Sequence, residues 1–173
     1  DPNNPDSDGD GFSDGEETAY GSDPMDPASV ANQPPVALNL NGSAVLENQS
    51  AGAFVGELNA TDPDAGASHV YAFTDGNGSQ HNSLFSLDAN GTVRTTAILD
   101  HEEEPNLSIR VKVTDDHNAS IERQFGVQVL DDDNEDSDRD GLTQAQEQGF
   151  GTSDFHGDSD GDGFGDAEEV SYG

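Results

Sequence analysis

The sequence contains no cysteine and no tryptophan, and only five lysines and arginines stand against 37 aspartates and glutamates. Each shortage narrows the field. Without cysteine, neither disulfides nor thiolate zinc sites can stabilise the fold. At a formal charge of −32 over 173 residues there is no basic surface to neutralise phosphates, which excludes nucleic acid as a partner. The same charge disfavours an anionic membrane face. No apolar run approaches the length of a transmembrane helix, so no membrane insertion is expected in this segment. The partners left over are cationic, and the simplest is a metal ion. The chain starts at Asp1 with no leader sequence before it, and reads as a segment of something longer.

The acidity is unevenly spread. Residues 1–35 hold nine acidic side chains and no lysine or arginine, and residues 131–173 hold fifteen with a single Arg139. Between them, residues 36–130 carry thirteen acidic and four basic residues and nearly all the large aliphatics. That pattern describes a globular centre between two acidic flanks, which composition alone would leave disordered.

The flanks carry a regular motif. "DSDGDGFSDGEE", residues 6–17, packs six acidic side chains into twelve positions. Carboxylates roughly 5 Å apart repel by about 3 kcal/mol per pair at an effective dielectric near 20, so something must draw the loop closed. The stretch fits D-x-[DN]-x-[DN]-G-x5-E. Asp6, Asp8 and Asp10 occupy positions 1, 3 and 5, and Gly11 makes the sharp turn at position 6. Phe12 offers its carbonyl at position 7, Asp14 stands at 9, and Glu17 at 12 can bind through both oxygens. Such a set supplies the roughly 6–8 oxygens that calcium takes at about 2.3–2.6 Å. The pattern returns as Asp136, Asp138, Asp140, Gly141, Leu142, Gln144 and Glu147, and again as Asp158, Asp160, Asp162, Gly163, Phe164, Asp166 and Glu169. The last two copies start 22 residues apart, which implies one structural unit repeated.

What surrounds each loop limits its use. "DPNNP" before Asp6 cannot form a helix, and "TAYG" after Glu17 permits about one helical turn before Gly21 and Pro24 end it. Each loop has an apolar residue at position 7 and an aromatic three residues after the final Glu: Phe12 with Tyr20, Leu142 with Phe150, Phe164 with Tyr172. Two side chains cannot offset the ordering of some 20 residues, at about 1–2 kcal/mol each. Metal binding is therefore expected to supply most of the folding energy, which makes these structural sites and not switches.

"DSDGDGFSDGEETAYGSDP" resembles bacterial thrombospondin type-3 repeats in its loop, its short "EE" helix and its "YG-S/T-DP" exit. "GFGTSDFHGDSDGDG" is similar to that exit more loosely, with Phe155 where proline is usual. The chain also stops at "EEVSYG", matching "EETAYG" at residues 16–21, so an array continuing past Gly173 is expected.

The centre reads as strands. "NLSIRVKVT" places Leu107, Ile109, Val111 and Val113 on one face, and "RQFGVQVLD" continues the alternation through Phe125, Val127 and Val129. A period of two marks a half-buried antiparallel strand. "SLDANGTVRT" is a hairpin turning at Asn90-Gly91. Strands near 36–40, 44–47, 53–61, 69–74, 84–87, 92–95, 107–114 and 121–130 predict an all-β, seven-stranded sandwich.

Acidic residues collect at the strand ends: "LEN" at 46–48, "ATDPDAG" at 60–66, "LDHEE" at 99–103, "VTDDH" at 113–117 and "VLDDDNED" at 129–136. With "NQPP" at 32–35, residues 32–135 resemble a cadherin-like domain. The resemblance implies a Greek-key sandwich with calcium ligands at both poles. By position, Glu47, Asp100, Glu102, Asp131 and Asp133 would serve the C-terminal pole, and Asp62, Asp64 and Asp115, with Asn32 from the linker, the N-terminal one. "DDDNED" departs from the family's Asp-x-Asn-Asp-Asn, which leaves the number of ions there open.

No H-E-x-x-H spacing, G-x-S-x-G elbow or phosphate-cradling loop is present, and no enzyme is expected. Seven N-x-S/T sequons, beginning at Asn41, Asn48, Asn59, Asn77, Asn90, Asn106 and Asn118, all fall in the centre. The expected organisation is a thrombospondin type-3-like repeat over 1–31, the sandwich over 32–135 and two further repeats over 136–173. The function that follows is a calcium-stabilised spacer, stalk or fibre unit of a secreted or cell-surface protein, with neighbouring modules or copies of itself as partners. The alternatives are a module that binds a surface glycan or protein, and a linker within a large exoenzyme.

Overall fold

The computed structural model describes residues 5–29, 31–64 and 66–172. Helix α1 (Asp14–Tyr20) precedes eight strands: β1 (Ala37–Asn41), β2 (Ala44–Leu46), β3 (Phe54–Thr61), β4 (His69–Phe73), β5 (Phe85–Leu87), β6 (Thr92–Thr95), β7 (Asn106–Asp115) and β8 (Ser120–Leu130). Helices α2 (Gln144–Phe150) and α3 (Asp166–Tyr172) follow. The strands form two four-stranded sheets in the orders β1-β3-β6-β5 and β2-β8-β7-β4, antiparallel except for the β2/β8 pair.

All eight expected ranges form strands, one more than the seven-stranded count, because 36–40 and 44–47 lie on either side of a crossing between the sheets. Residues 37–46 pair with β3, then cross to pair with β8 in the other sheet. Gly42 makes the crossing, with φ at +87°, and a Cβ there would lie 2.8 Å from the Val55 carbonyl oxygen. Gly56 faces it, and a Cβ at Gly56 would lie 2.6 Å from the carbonyl oxygens of Asn41 and Gly42. Only this glycine pair lets the two backbones approach so closely.

The core is aliphatic and comes from both sheets: Leu38, Val55, Leu58, Phe85 and Val93 on one side, and Leu107, Ile109, Val111, Val113, Val127 and Val129 on the other. Strand β7 alternates without a break from Leu107 to Val113, and its next inward position is Asp115, which is also buried. The pleat thus delivers a carboxylate to one end of the sandwich. The seven sequon asparagines are all exposed.

The flanks fold by other means. Helix α1 begins inside the loop, three residues before Glu17, so it makes about two turns and not the single turn expected after it. A capping box explains the earlier start. The Ser13 hydroxyl accepts from the Glu16 amide, and the Glu16 carboxylate accepts from the Ser13 amide at 2.9 Å. Gly21 closes the helix in the left-handed conformation at φ +83°.

The expected aromatic pairs do not form a core. Tyr20, Phe150 and Tyr172 are all exposed. Phe12 packs instead edge-on against His117 of the sandwich, with ring centroids 5.9 Å apart. Leu142 is buried, whereas Phe164 is exposed.

Candidate metal centres

The three loops are closed by the same backbone clamp. The amide at position 9 donates to the carbonyl of the residue before position 1: Asp14 to Pro5 at 2.8 Å, Gln144 to Glu135 at 2.9 Å and Asp166 to Gly157 at 3.0 Å. Inside each loop, the aspartates at positions 3 and 5 spend one oxygen on a nearby amide. In the first loop Asp8 accepts from Asp10 N–H at 3.3 Å, and Asp10 from Phe12 N–H at 2.8 Å, while Asp6 accepts from Gly9 and Gly11. The third loop repeats all four contacts through Asp158, Asp160 and Asp162. The second keeps those of Asp136 with Gly141, Asp138 with Asp140, and Asp140 with Leu142.

In the first and second loops several of the remaining oxygens are buried and have no donor. Asp8 Oδ2, Asp10 Oδ2 and Glu17 Oε2 in the first loop are buried without a hydrogen-bond partner. So are Asp136 Oδ1, Asp138 Oδ2 and both oxygens of Glu147 in the second. Glu17 and Glu147 at position 12 are almost wholly buried, whereas Glu169 is exposed. Oxygens of Asp6, Asp8 and Asp10 lie within 4.8 Å of one another, as do those of Asp136, Asp138 and Asp140. A buried carboxylate without a partner is strongly unfavourable. Burial first, and then neighbouring carboxylates, raise Asp8, Glu17 and Asp138 above the usual range. Glu147 is pushed up to about 7 by burial and by the nearby Asp154, Asp138 and Asp140. This set of hard oxygen donors, all short of a positive partner, fits calcium. Asp14 differs, because the Ser7 hydroxyl and amide both donate to it at 2.7 Å and hold its carboxyl below the usual range.

The topology gathers the strand-end residues at two poles. At the C-terminal pole Glu47 is fully buried, accepting from the amides of His101 at 2.7 Å and Asp132 at 2.8 Å. Oxygens of Glu47, Asp100 and Glu102 lie within 4.8 Å of one another, and Glu102 also groups with His101 and Asp131. Burial, then Glu47, Glu135 and Asp131, push the Glu102 carboxyl up to about 7. Asp131 and Asp133 both accept from the side-chain amide of Gln144, at 3.0 and 3.2 Å. Position 9 of the second loop is thus engaged by this pole.

At the N-terminal pole the carboxylates are already partnered. Asp115 accepts from Asn32 Nδ2 at 3.0 Å and from the amides of His117 and Ala119 at 2.9 Å. Asp62 contacts His69 Nε2 at 3.2 Å and accepts from the Asp64 amide, and Asp64 accepts from Gln33 N–H at 2.8 Å. His69 and Gln33 are also brought to this pole, a placement that the spacing of acidic residues did not reveal. Val30 and Ala65 lie outside the described residues.

A family model described as "Cadherin domain" matches residues 43–130. One described as "Bacterial TSP3 repeat" matches residues 6–27 and 158–173, so the second loop falls outside both matched stretches. Cadherin-18 of Bos taurus is 41% identical over 78 residues, covering 44% of this chain and 10% of that protein. Protocadherin alpha-2 of Pan troglodytes is 33% identical over 93 residues, covering 52% and 10%. The chain spans about a tenth of the length of these relatives. A solved structure of mouse clustered PcdhgC3 EC1-3 superposes with a TM-score of 0.49 at 28% identity, covering 57% of this chain and 33% of that one.

Proposed function

The chain belongs to the cadherin family, and we propose that it is a calcium-stiffened spacer or fibre segment in which one sandwich is held between calcium-loop repeats. Cadherin domains and these repeats are adhesion or structural modules of extracellular and cell-surface proteins, which is the class the chain falls in. Among the described residues no helix is long and apolar enough to cross a membrane.

The observation that carries this proposal is the recurrence of buried, donorless carboxylate oxygens in the first and second loops, whose residue pattern the third repeats. A cation at each loop would convert the largest destabilising term in the flank into the term that orders it. For a Kd near 10⁻⁴ M, typical of extracellular modules, 10 mM calcium adds about 2.7 kcal/mol per site. Ions at the poles would stiffen the joints. The second loop starts at Asp136, directly after the DDDNE stretch, and Asn48 of the sandwich donates to Glu135 at 2.7 Å. Neighbouring modules and further copies of the chain are the partners this role requires.

Small-angle scattering tests the role of the C-terminal pole. Asp100→Ala combined with Glu102→Ala removes ligands outside the apolar core, so the sandwich stays folded. In calcium, the double variant should give a more compact or more variable profile than the parent protein. Identical profiles would mean that this pole carries no ion.

A further inference from the structure

The second loop departs from the other two at position 9. In the first and third loops that position is aspartate, and it accepts both the amide and the hydroxyl of the serine at position 2. Ser7 donates to Asp14 twice at 2.7 Å, and Ser159 donates to Asp166 at 2.9 and 2.8 Å. In the second loop Gln144 occupies the position, and its amide is taken up by Asp131 and Asp133. The amide of Ser137 turns to a residue from outside the loop, donating to Asp154 Oδ1 at 3.4 Å.

Asp154 lies seven residues beyond Glu147, in the stretch that leads to the third loop. It is only 7% exposed, its Oδ2 receives no donor, and its carboxyl lies against that of Glu147. One long contact from an amide is a poor return for burying a full negative charge among other carboxylates. An asparagine would accept the same bond without that charge. The sole lysine or arginine of residues 131–173 is Arg139, which is exposed. The side chain therefore has the properties of a metal ligand and not of a loop brace.

We infer that Asp154 supplies a carboxylate ligand to the ion of the second loop, in the place that Gln144 leaves. This rests on the calcium reading of that loop. The ion then ties the chain beyond α2 back onto the loop before it. That chain includes Gly157, whose carbonyl clamps the third loop through Asp166 N–H. The Asp140 carboxylate meanwhile accepts from Ala167 N–H of α3 at 3.2 Å. The second and third loops are therefore assembled as one unit around the second ion.

Calcium titration calorimetry on the whole chain tests the assignment with Asp154→Asn, Glu147→Gln and the two combined. Asp154→Asn should weaken one site on the order of 10–100-fold, the range seen when support of a metal site is lost. The double variant should lose little more than Glu147→Gln alone, because both residues act on one ion. In chelator, Asp154→Asn should melt no lower than the parent, since asparagine keeps the acceptor for Ser137. Additive losses in the double variant would overturn the assignment. So would an Asp154→Asn titration like that of the parent while Glu147→Gln loses a site, or a lower melt in chelator with calcium affinity unchanged. If Glu147→Gln also binds as the parent does, the calcium reading of the loop fails together with the assignment.

Discussion

The sandwich and its flanks bury opposite kinds of side chain. The sandwich interior holds thirteen apolar residues, each contributing about 1.5–3 kcal/mol by leaving water. In the loops and their exits the buried side chains include Glu17, Glu147, Asp154 and Asp166, with Leu142 the large apolar exception. The sandwich is thus held by a force present in any buffer, whereas under the proposed function the flanks depend on what the buffer contains. A single chain carries both because the flanks add length without adding core. In the proposed spacer, each further repeat of 22 residues adds one unit of length, whereas another sandwich would need about a hundred residues.

Removing calcium should break the comparison open with the largest effect. In chelator, residues 5–29 and 136–172 should lose amide protection and their helical signal, while β7 and β8 stay protected at the level of global unfolding. In 10 mM calcium both regions should be protected, by about 2.7 kcal/mol per site in the flanks for sites with Kd near 10⁻⁴ M. Hydrogen exchange resolved by segment reads both. Flanks that stay protected in chelator would show that their order comes from the protein alone.

The mirror experiment weakens the sandwich and spares the loops. Ile109 is fully buried in β7, so Ile109→Ala should cost about 2–5 kcal/mol of sandwich stability. Calcium affinity of the first and third loops should stay the same, because Ile109 belongs to the apolar cluster of the sandwich, which contains no residue of those loops. A shift in those affinities, measured by calorimetry well below the melting temperature, would show that the two regions fold as one unit.

Much of this division was legible in the residues themselves. The alternation from Leu107 to Val113 gave β7, and the fixed spacing of aspartates, glycine and glutamate gave the loops. The start of α1 was also there to be read, as serine three places before glutamate at Ser13 and Glu16. Other features depend on chain folding that no local pattern encodes. Phe12 meets His117 across 105 positions, and Asp154 reaches the second loop from the far side of α2. The crossing from one sheet to the other between β1 and β2 hinges on two glycines 14 residues apart, whose closeness exists only once β1 lies beside β3. Gln144 shows the limit of a motif: its position in the pattern is fixed, but the neighbours that engage it come from the end of β8.

The smallest effect sharpens the contrast through pH. Glu147 and Glu102 are each pushed up to about 7, by burial first and then by neighbouring carboxylates. In the unfolded chain both should titrate near the ordinary value of about 4.3. Between those two values the calcium-free folded state holds more protons than the unfolded state, so stability falls as pH rises through that window and levels off above it. Acid should therefore favour order around the second loop in chelator, opposite to the usual behaviour of paired carboxylates. Calcium should reverse the sign. The ion binds the deprotonated groups and displaces their protons, so affinity at the second loop weakens as pH falls below about 7. The sandwich carries one such group, Glu102 at its C-terminal pole, so it should shift in the same direction there, while its apolar core adds no pH dependence of its own. Segment-resolved exchange in chelator at pH 5 and pH 8, corrected for the intrinsic pH dependence of exchange, measures the first effect. Calorimetry at the same two values measures the second. A flank no better ordered at pH 5 than at pH 8 without calcium would mean that Glu147 finds another partner when the ion is gone.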